Sequence, residues 1–213
     1  AVRLPAFLSG ILCVPAAYLV ARQLYGRTTA ILSAGLVAAA PLLISYSTNA
    51  RGYSQYTLFS LILFSLAIYL SKHANLAGWV IFFLISTAGF YTVPFMLFPC
   101  GSICFWLLIS AAMGETREAY GTFHRFIKYL LAAGMLIILF TILLYLPVVV
   151  IGTGLNSLIG NPFVAPLKWT EFWRLLEVQA WNIWISWNYD IPHFIRILLA
   201  AGVVQSLILH KRI

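Results

Sequence analysis

Acidic side chains are nearly missing from this sequence: Glu115, Glu118, Glu171, Glu177 and Asp190 are all it has, against 13 lysines and arginines. None of the five falls inside an apolar run. That argues against an ion pump or proton-coupled transporter, which needs carboxylates within the bilayer. Charge of either sign is scarce, 8% of residues where a soluble chain carries roughly 25%. With 62% hydrophobic content and a mean hydropathy of +0.96, a soluble domain is excluded. The net charge of +8 would point to nucleic acid in a soluble chain; here it marks loops and lipid headgroups, and no nucleic-acid partner is expected.

Cysteine is also sparse. Cys13, Cys100 and Cys104 sit in apolar segments, where a thiol packs as a small hydrophobe, so no disulfide framework is implied. Cys100 and Cys104 share a helix face, but no third donor accompanies them. His73, His124, His193 and His210 are scattered, so no metal site is expected. Gly152-Thr-Gly154 has no strand before it and reads as a flexible exit from the membrane, not a dinucleotide loop. No Asn-x-Ser/Thr acceptor occurs, so nothing suggests that the chain is N-glycosylated. It opens on Ala at a helix edge without a secretory leader, which is the expectation for a fragment or a trimmed chain.

What is present is a series of long apolar runs, each near the 17 to 25 residues needed to cross about 30 Å of hydrocarbon. They fall at 4–21, 28–45, 57–71, 77–92, 95–113, 129–151 and 194–209. Pro94 divides what would otherwise be one stretch too long for a single crossing. The expected fold class is all-α: a polytopic helical membrane protein with about seven spans. Three regions are expected: a transmembrane core at 1–151, an outer-face interfacial segment at 152–193 and a closing span at 194–213.

The positive-inside rule orients the spans. One set of links holds Arg22, Arg27, Lys72, Arg117, Arg125, Lys128, Lys211 and Arg212; the opposite set holds Arg3, Arg51, Lys168, Arg174 and Arg196. The richer set is cytoplasmic, which leaves 152–192 and the polar run Tyr46-Ser-Thr-Asn49-Ala-Arg51-Gly-Tyr53-Ser-Gln55-Tyr56 on the outer face. Two roles stay open for Arg51 at that hairpin: snorkelling into headgroups, or turning inward to grip an anion with the fixed donors that suit phosphate. From Lys168 to Trp187, Trp169, Trp173, Leu176, Ala180, Trp184 and Trp187 recur at three- and four-residue steps. That is the pattern of an interfacial helix with its indoles at headgroup depth, serving either as an aromatic anchor or as a lid over a lipid-linked substrate. Asp190 follows it, as an ordinary loop carboxylate or as one directed toward the Arg51 hairpin.

Several short motifs recur in order. Arg3-Leu-Pro5 opens a span ending in Tyr18-Leu-Val-Ala-Arg22-Gln-Leu-Tyr-Gly26; the next leads through Pro41 and Ser45-x-Ser47 to Ala50-Arg51-Gly-Tyr53; a later one closes with Gly89-Phe-Tyr91. This ordered set resembles the glycosyltransferase family 39 group of integral membrane enzymes, related to protein O-mannosyltransferases and aminoarabinose transferases. The likeness covers roughly residues 1–110. It implies a glycosyltransferase C-type helical bundle, in the bacterial inner or plasma membrane, that moves a sugar from a polyprenyl-phosphate carrier to an acceptor glycan, lipid or protein on the outer face. It also implies substrate-binding roles for Arg3 and Arg51 near the carrier phosphate and for Tyr53 and Tyr91 in the cavity wall. Asn49 and Asp190 are the further candidates for substrate binding, read from their places at the outer face. The family's acidic outer loop, its presumed base or metal-associated carboxylate, precedes the point where this sequence begins. No catalytic residue is therefore assigned, no cofactor is evident, and a divalent metal would enter only through that loop. Where relatives often carry histidine after the Tyr91 position, Thr92-Val93-Pro94 stands here. The alternative is a non-catalytic membrane component or a lipid-carrier flippase. A flippase needs polar residues reaching both leaflets, whereas here they gather on one side.

Overall fold

A computed structural model describes residues 3–49, 52–151 and 169–188, with positions 197, 198, 200–202, 204 and 205. The chain divides into two compact units, Ala1–Gly154 and Leu155–Ile213. Among the described residues the regular structure is helical throughout: α1 (Leu4–Leu24), α2 (Arg27–Ala39), α3 (Pro41–Thr48), α4 (Tyr53–Lys72), α5 (Leu76–Thr92), α6 (Leu97–Ala112), α7 (Arg117–Tyr120), α8 (Phe123–Ile151) and α9 (Trp169–Asn188), with a 3-10 turn at Pro94–Met96. The protein is an all-α polytopic membrane protein. Among the described residues four helical stretches are long and apolar enough to cross, namely Leu4–Leu24, Tyr53–Lys72, Pro94–Ala112 and Phe123–Pro147, and α2 with α3 makes a fifth if the bent pair is one span. Helix α5, at 17 residues, stands at the lower limit for about 30 Å of hydrocarbon. The expected 194–209 span lies largely outside the described residues.

The segment expected as one helix at 28–45 is broken. Pro41 lacks an N–H and forces its predecessor out of the helical region. Ala40 accordingly sits at φ −71°, ψ 112°, and α2 and α3 meet at a bend of 55°. The polar link expected from Tyr46 to Tyr56 is shorter than that: Tyr46–Thr48 belong to α3 and Tyr53 begins α4. The same proline rule separates α5 from α6, where Val93 is extended at φ −150°, ψ 123° before Pro94. The helix of the apolar run at 129–151 begins earlier, at Phe123, with Thr122 Oγ1 accepting from the Arg125 N–H at 3.3 Å as a side-chain cap.

Lipid tails are as apolar as leucine, so helices inside a bilayer are drawn together by close packing. The face that α1 buries is made of small residues, Ala6, Ser9, Cys13, Ala16, Ala17 and Ala21. Cys13 and Ala16 pack on Leu58 of α4. On the other side of α4, Leu63, Ala67 and Leu70 join Phe82 and Phe83 of α5, Ile103 and Leu107 of α6 and Leu130 and Ala133 of α8 in the main core. Helix α4 is thus the pillar between two packed halves.

One end of this unit is locked. Tyr120, 1% exposed, donates to the carbonyls of Leu70 (2.9 Å) and His73 (3.2 Å) and accepts from Trp79 Nε1 at 3.0 Å. It thereby satisfies carbonyls left over at the end of α4 and ties α4, α5 and α7 together, with Phe126 of α8 edge-on at 4.9 Å. Arg22, Arg27, Lys72, Arg117, Arg125 and Lys128 all belong to this end. Asn75 caps α5 there by accepting from the Gly78 N–H at 3.2 Å.

Tyr120→Phe keeps the ring but strands two carbonyls and an indole N–H, at a cost of about 1–3 kcal/mol; thermal unfolding in detergent will show the loss. Burial pushes the Tyr120 hydroxyl pKa above its ordinary value. The folded state therefore favours the neutral form, whose stabilisation is complete below about pH 10 and falls away as pH rises through the folded pKa. The alkaline limb of a stability-against-pH curve is expected to be shallower in the phenylalanine variant.

Candidate functional site

At the opposite, open end, α1 and α4 begin while α3 and α5 finish. A Cβ added to Gly10 of α1 would stand 2.5 Å from Ser47 Cβ of α3, so those helices touch there. Arg3, at the N-cap of α1, is exposed and lines a cavity of about 350 Å³ with Leu4, Phe7, Ser47 and Thr48. Ser47 Oγ donates to the Ile44 carbonyl at 2.7 Å and Thr48 Oγ1 to the Ser45 carbonyl at 2.9 Å. Both hydroxyls spend their proton on their own helix and keep only lone pairs for a visitor. That suits the hydroxyls of a sugar and leaves attraction for a phosphate to the guanidinium.

Asn49 caps the end of α3, its N–H donating to the Tyr46 carbonyl at 3.3 Å, and its side chain is exposed. Tyr53 opens α4, its ring centroid 4.9 Å from that of Tyr46, and with Tyr56, Val93, Phe95 and Phe98 it lines a second cavity of about 220 Å³. The first cavity adjoins the end of α3 at Ser47 and Thr48 and the second the start of α4 at Tyr53. Gly52 fixes the hairpin against α5, because a Cβ there would meet Thr92 Cγ2 at 2.6 Å and Val93 Cγ2 at 3.1 Å.

Arg3, Asn49 and Tyr53 therefore share the open end. Tyr91 is at the same end but has a different neighbour: its ring is 6.1 Å from that of Tyr145 on α8, whose hydroxyl donates to the Phe90 carbonyl at 3.0 Å. Arg51 and Asp190 lie outside the described residues. No side-chain cap occupies the start of α1 or of α4, so their first-turn N–H groups, which favour anions, are not taken up by capping side chains at this end. Sequence reading did not find the Tyr46–Tyr53 contact or the role of Gly52; the signal for both was a glycine between two tyrosine-bearing helix ends.

Among the described residues no group of three His, Cys, Asp or Glu side chains comes together to hold a metal, and no step is routed through one here. Helix α9 carries the expected aromatic periodicity, with Trp169 5.7 Å from Trp173 edge to face, and Trp169, Trp173 and Trp181 exposed on its surface.

The sequence model of the family described as dolichyl-phosphate-mannose-protein mannosyltransferase matches residues 1–145 of the 213, which include Arg3, Asn49, Tyr53 and Tyr91. No curated protein and no solved structure matches the chain.

Gly52→Val overpacks the contact with Thr92 and Val93 and is expected to cost about 1–3 kcal/mol in thermal unfolding. Gly26→Ala, where nothing lies within 4 Å of the added Cβ, is expected to leave the melting temperature unchanged.

Proposed function

Because the chain belongs to the dolichyl-phosphate-mannose-protein mannosyltransferase family of membrane glycosyltransferases, we propose that it moves a sugar from a polyprenyl-phosphate carrier to an acceptor hydroxyl at the open end of the bundle. The observation that carries this reading is the pairing, at that end, of an exposed arginine with acceptor-only hydroxyls around one cavity. Arg3 attracts the carrier phosphate. Arg51, two residues before Tyr53 in the hairpin, is assigned the second phosphate contact from its sequence position. Ser47, Thr48, Asn49 and Tyr53 read the sugar, Tyr91 contributes an aromatic wall, and Asp190 is assigned to the acceptor side.

In the reaction the bond between the anomeric carbon and the phosphate oxygen breaks and a bond from that carbon to the acceptor oxygen forms. The polyprenyl phosphate leaves with the bonding electrons and gains negative charge. A guanidinium already in place stabilises that charge most in the transition state, where it helps the rate. The acceptor's proton passes to a base other than Glu115 and Glu118, which are the acidic residues described in the first unit and lie beside its locked end. The basic residues massed at the locked end make it the cytoplasmic one by the positive-inside rule, so transfer takes place on the outer face.

Arg51→Ala in the complete protein is expected to lower kcat for sugar release from a polyprenyl-phosphate donor by about 100-fold or more. Arg51→Lys falls between, keeping the charge but losing the two-pronged geometry. Wild-type turnover in the alanine variant would remove the arginine from the reaction.

A further inference from the structure

Helix α5 ends on an acceptor that its own chain cannot fill. Four residues after Phe90 stands Pro94, which has no N–H to return to the Phe90 carbonyl. A carbonyl left unpaired at membrane depth is costly. Its neighbours are provided for: the Gly89 carbonyl takes the Val93 N–H at 3.0 Å, and the Ala88 carbonyl takes Thr92 Oγ1 at 2.8 Å. The donor that Phe90 lacks comes from 55 positions along the chain, where the Tyr145 hydroxyl of α8 donates to it at 3.0 Å. Lower on the same two helices Phe140 meets Phe83 edge to face, ring centroids 5.1 Å apart, so α8 is held against α5 at two levels.

The turn that receives this bond also shapes the open end. Tyr91, 56% exposed, is next along the chain, its ring 6.1 Å from that of Tyr145 and tilted by 58°. Thr92 and Val93 follow and form the wall on which Gly52 sits, so closely that only a hydrogen fits there. Unwinding the last turn of α5 would therefore move the Tyr91 ring and the seat of the hairpin together. We propose that Tyr145 is a positioning residue of the transfer site: by filling the acceptor that Pro94 strands, it fixes the direction in which Tyr91 presents its ring to the sugar. This assignment rests on the sugar-transfer reading above. A ring packed on a sugar orients the reacting carbon more than it grips the carrier, and an error of orientation is paid in rate.

A double-mutant cycle between Tyr145 and Tyr91 in the complete protein tests this, reading sugar release from a polyprenyl-phosphate-linked donor. The folded fraction of each variant is fixed by size-exclusion chromatography, so that lost protein is not counted as lost rate. Tyr145→Phe keeps the ring and removes only the donated proton; kcat is expected to fall about tenfold, with KM within about twofold of the unmodified enzyme. In a Tyr91→Ala background the same change is expected to alter kcat by less than about twofold, because no ring is left to direct. Tyr145→4-aminophenylalanine restores an N–H donor at that place and is expected to recover most of the loss. Equal losses with and without the Tyr91 ring, no recovery in the amino variant, or a lowered melting temperature at unchanged kcat would each make Tyr145 a structural tie alone. Any of these overturns the positioning role while the transfer reading stands. If the unmodified enzyme releases no sugar from such donors, both fall.

Discussion

The first unit depends on how closely helices approach where no water pushes them together. Between α1 and α4 the approach is made by Cys13 and Ala16 against Leu58; between α1 and α3 it is made by Gly10 against Ser47. Each gains through dispersion between many atoms in contact, a small amount per pair and a large one in sum. Larger side chains at these positions would hold the helices apart, and the lipid would fill the gap at no cost.

The two ends of the bundle use this constraint differently. At the locked end a single buried hydroxyl gathers two carbonyls and an indole N–H, and aromatic rings close around it. At the open end hydroxyls are turned back onto their own helices, helix starts lack side-chain caps, and cavities lie at the end of α3 and the start of α4. A transferase needs this asymmetry: a rigid base sets the geometry, while the opposite end keeps polar groups unpaired with one another for a substrate.

Much of this was legible before any coordinates. Apolar runs located α1, α4, α5, α6 and α8, Pro94 marked the break after α5, and tryptophan spacing marked α9, because hydropathy and periodicity are properties of short windows. The order of the Arg3, Arg22, Arg51 and Gly89-Phe-Tyr91 motifs carried the family. The bend at Ala40 was missed because a span's average apolarity is blind to one proline, although Pro41 held the signal. Tyr120 falls between two apolar runs, and nothing local reveals that its partners come from Leu70, His73 and Trp79. The Phe64–Trp106 contact was out of reach for the same reason: the two residues are 42 positions apart, and only packing brings them together.

The disparity between α5 and α8 has its own consequence. The two pack side by side, yet α5 has 17 residues and α8 has 29, roughly 26 Å against 44 Å of helix. Tyr145 meets Phe90 near the top of α5, so the last turn and a half of α8 continues past its shorter neighbour. A bilayer of uniform depth cannot match both. It must thin beside α5 or let α8 lean and protrude, at a fraction of a kcal/mol per ångström of mismatch. Whether the bilayer thins or α8 leans, one flank of the protein is mismatched to a uniform membrane, and compartments of different sterol or acyl-chain length will hold it with unequal ease.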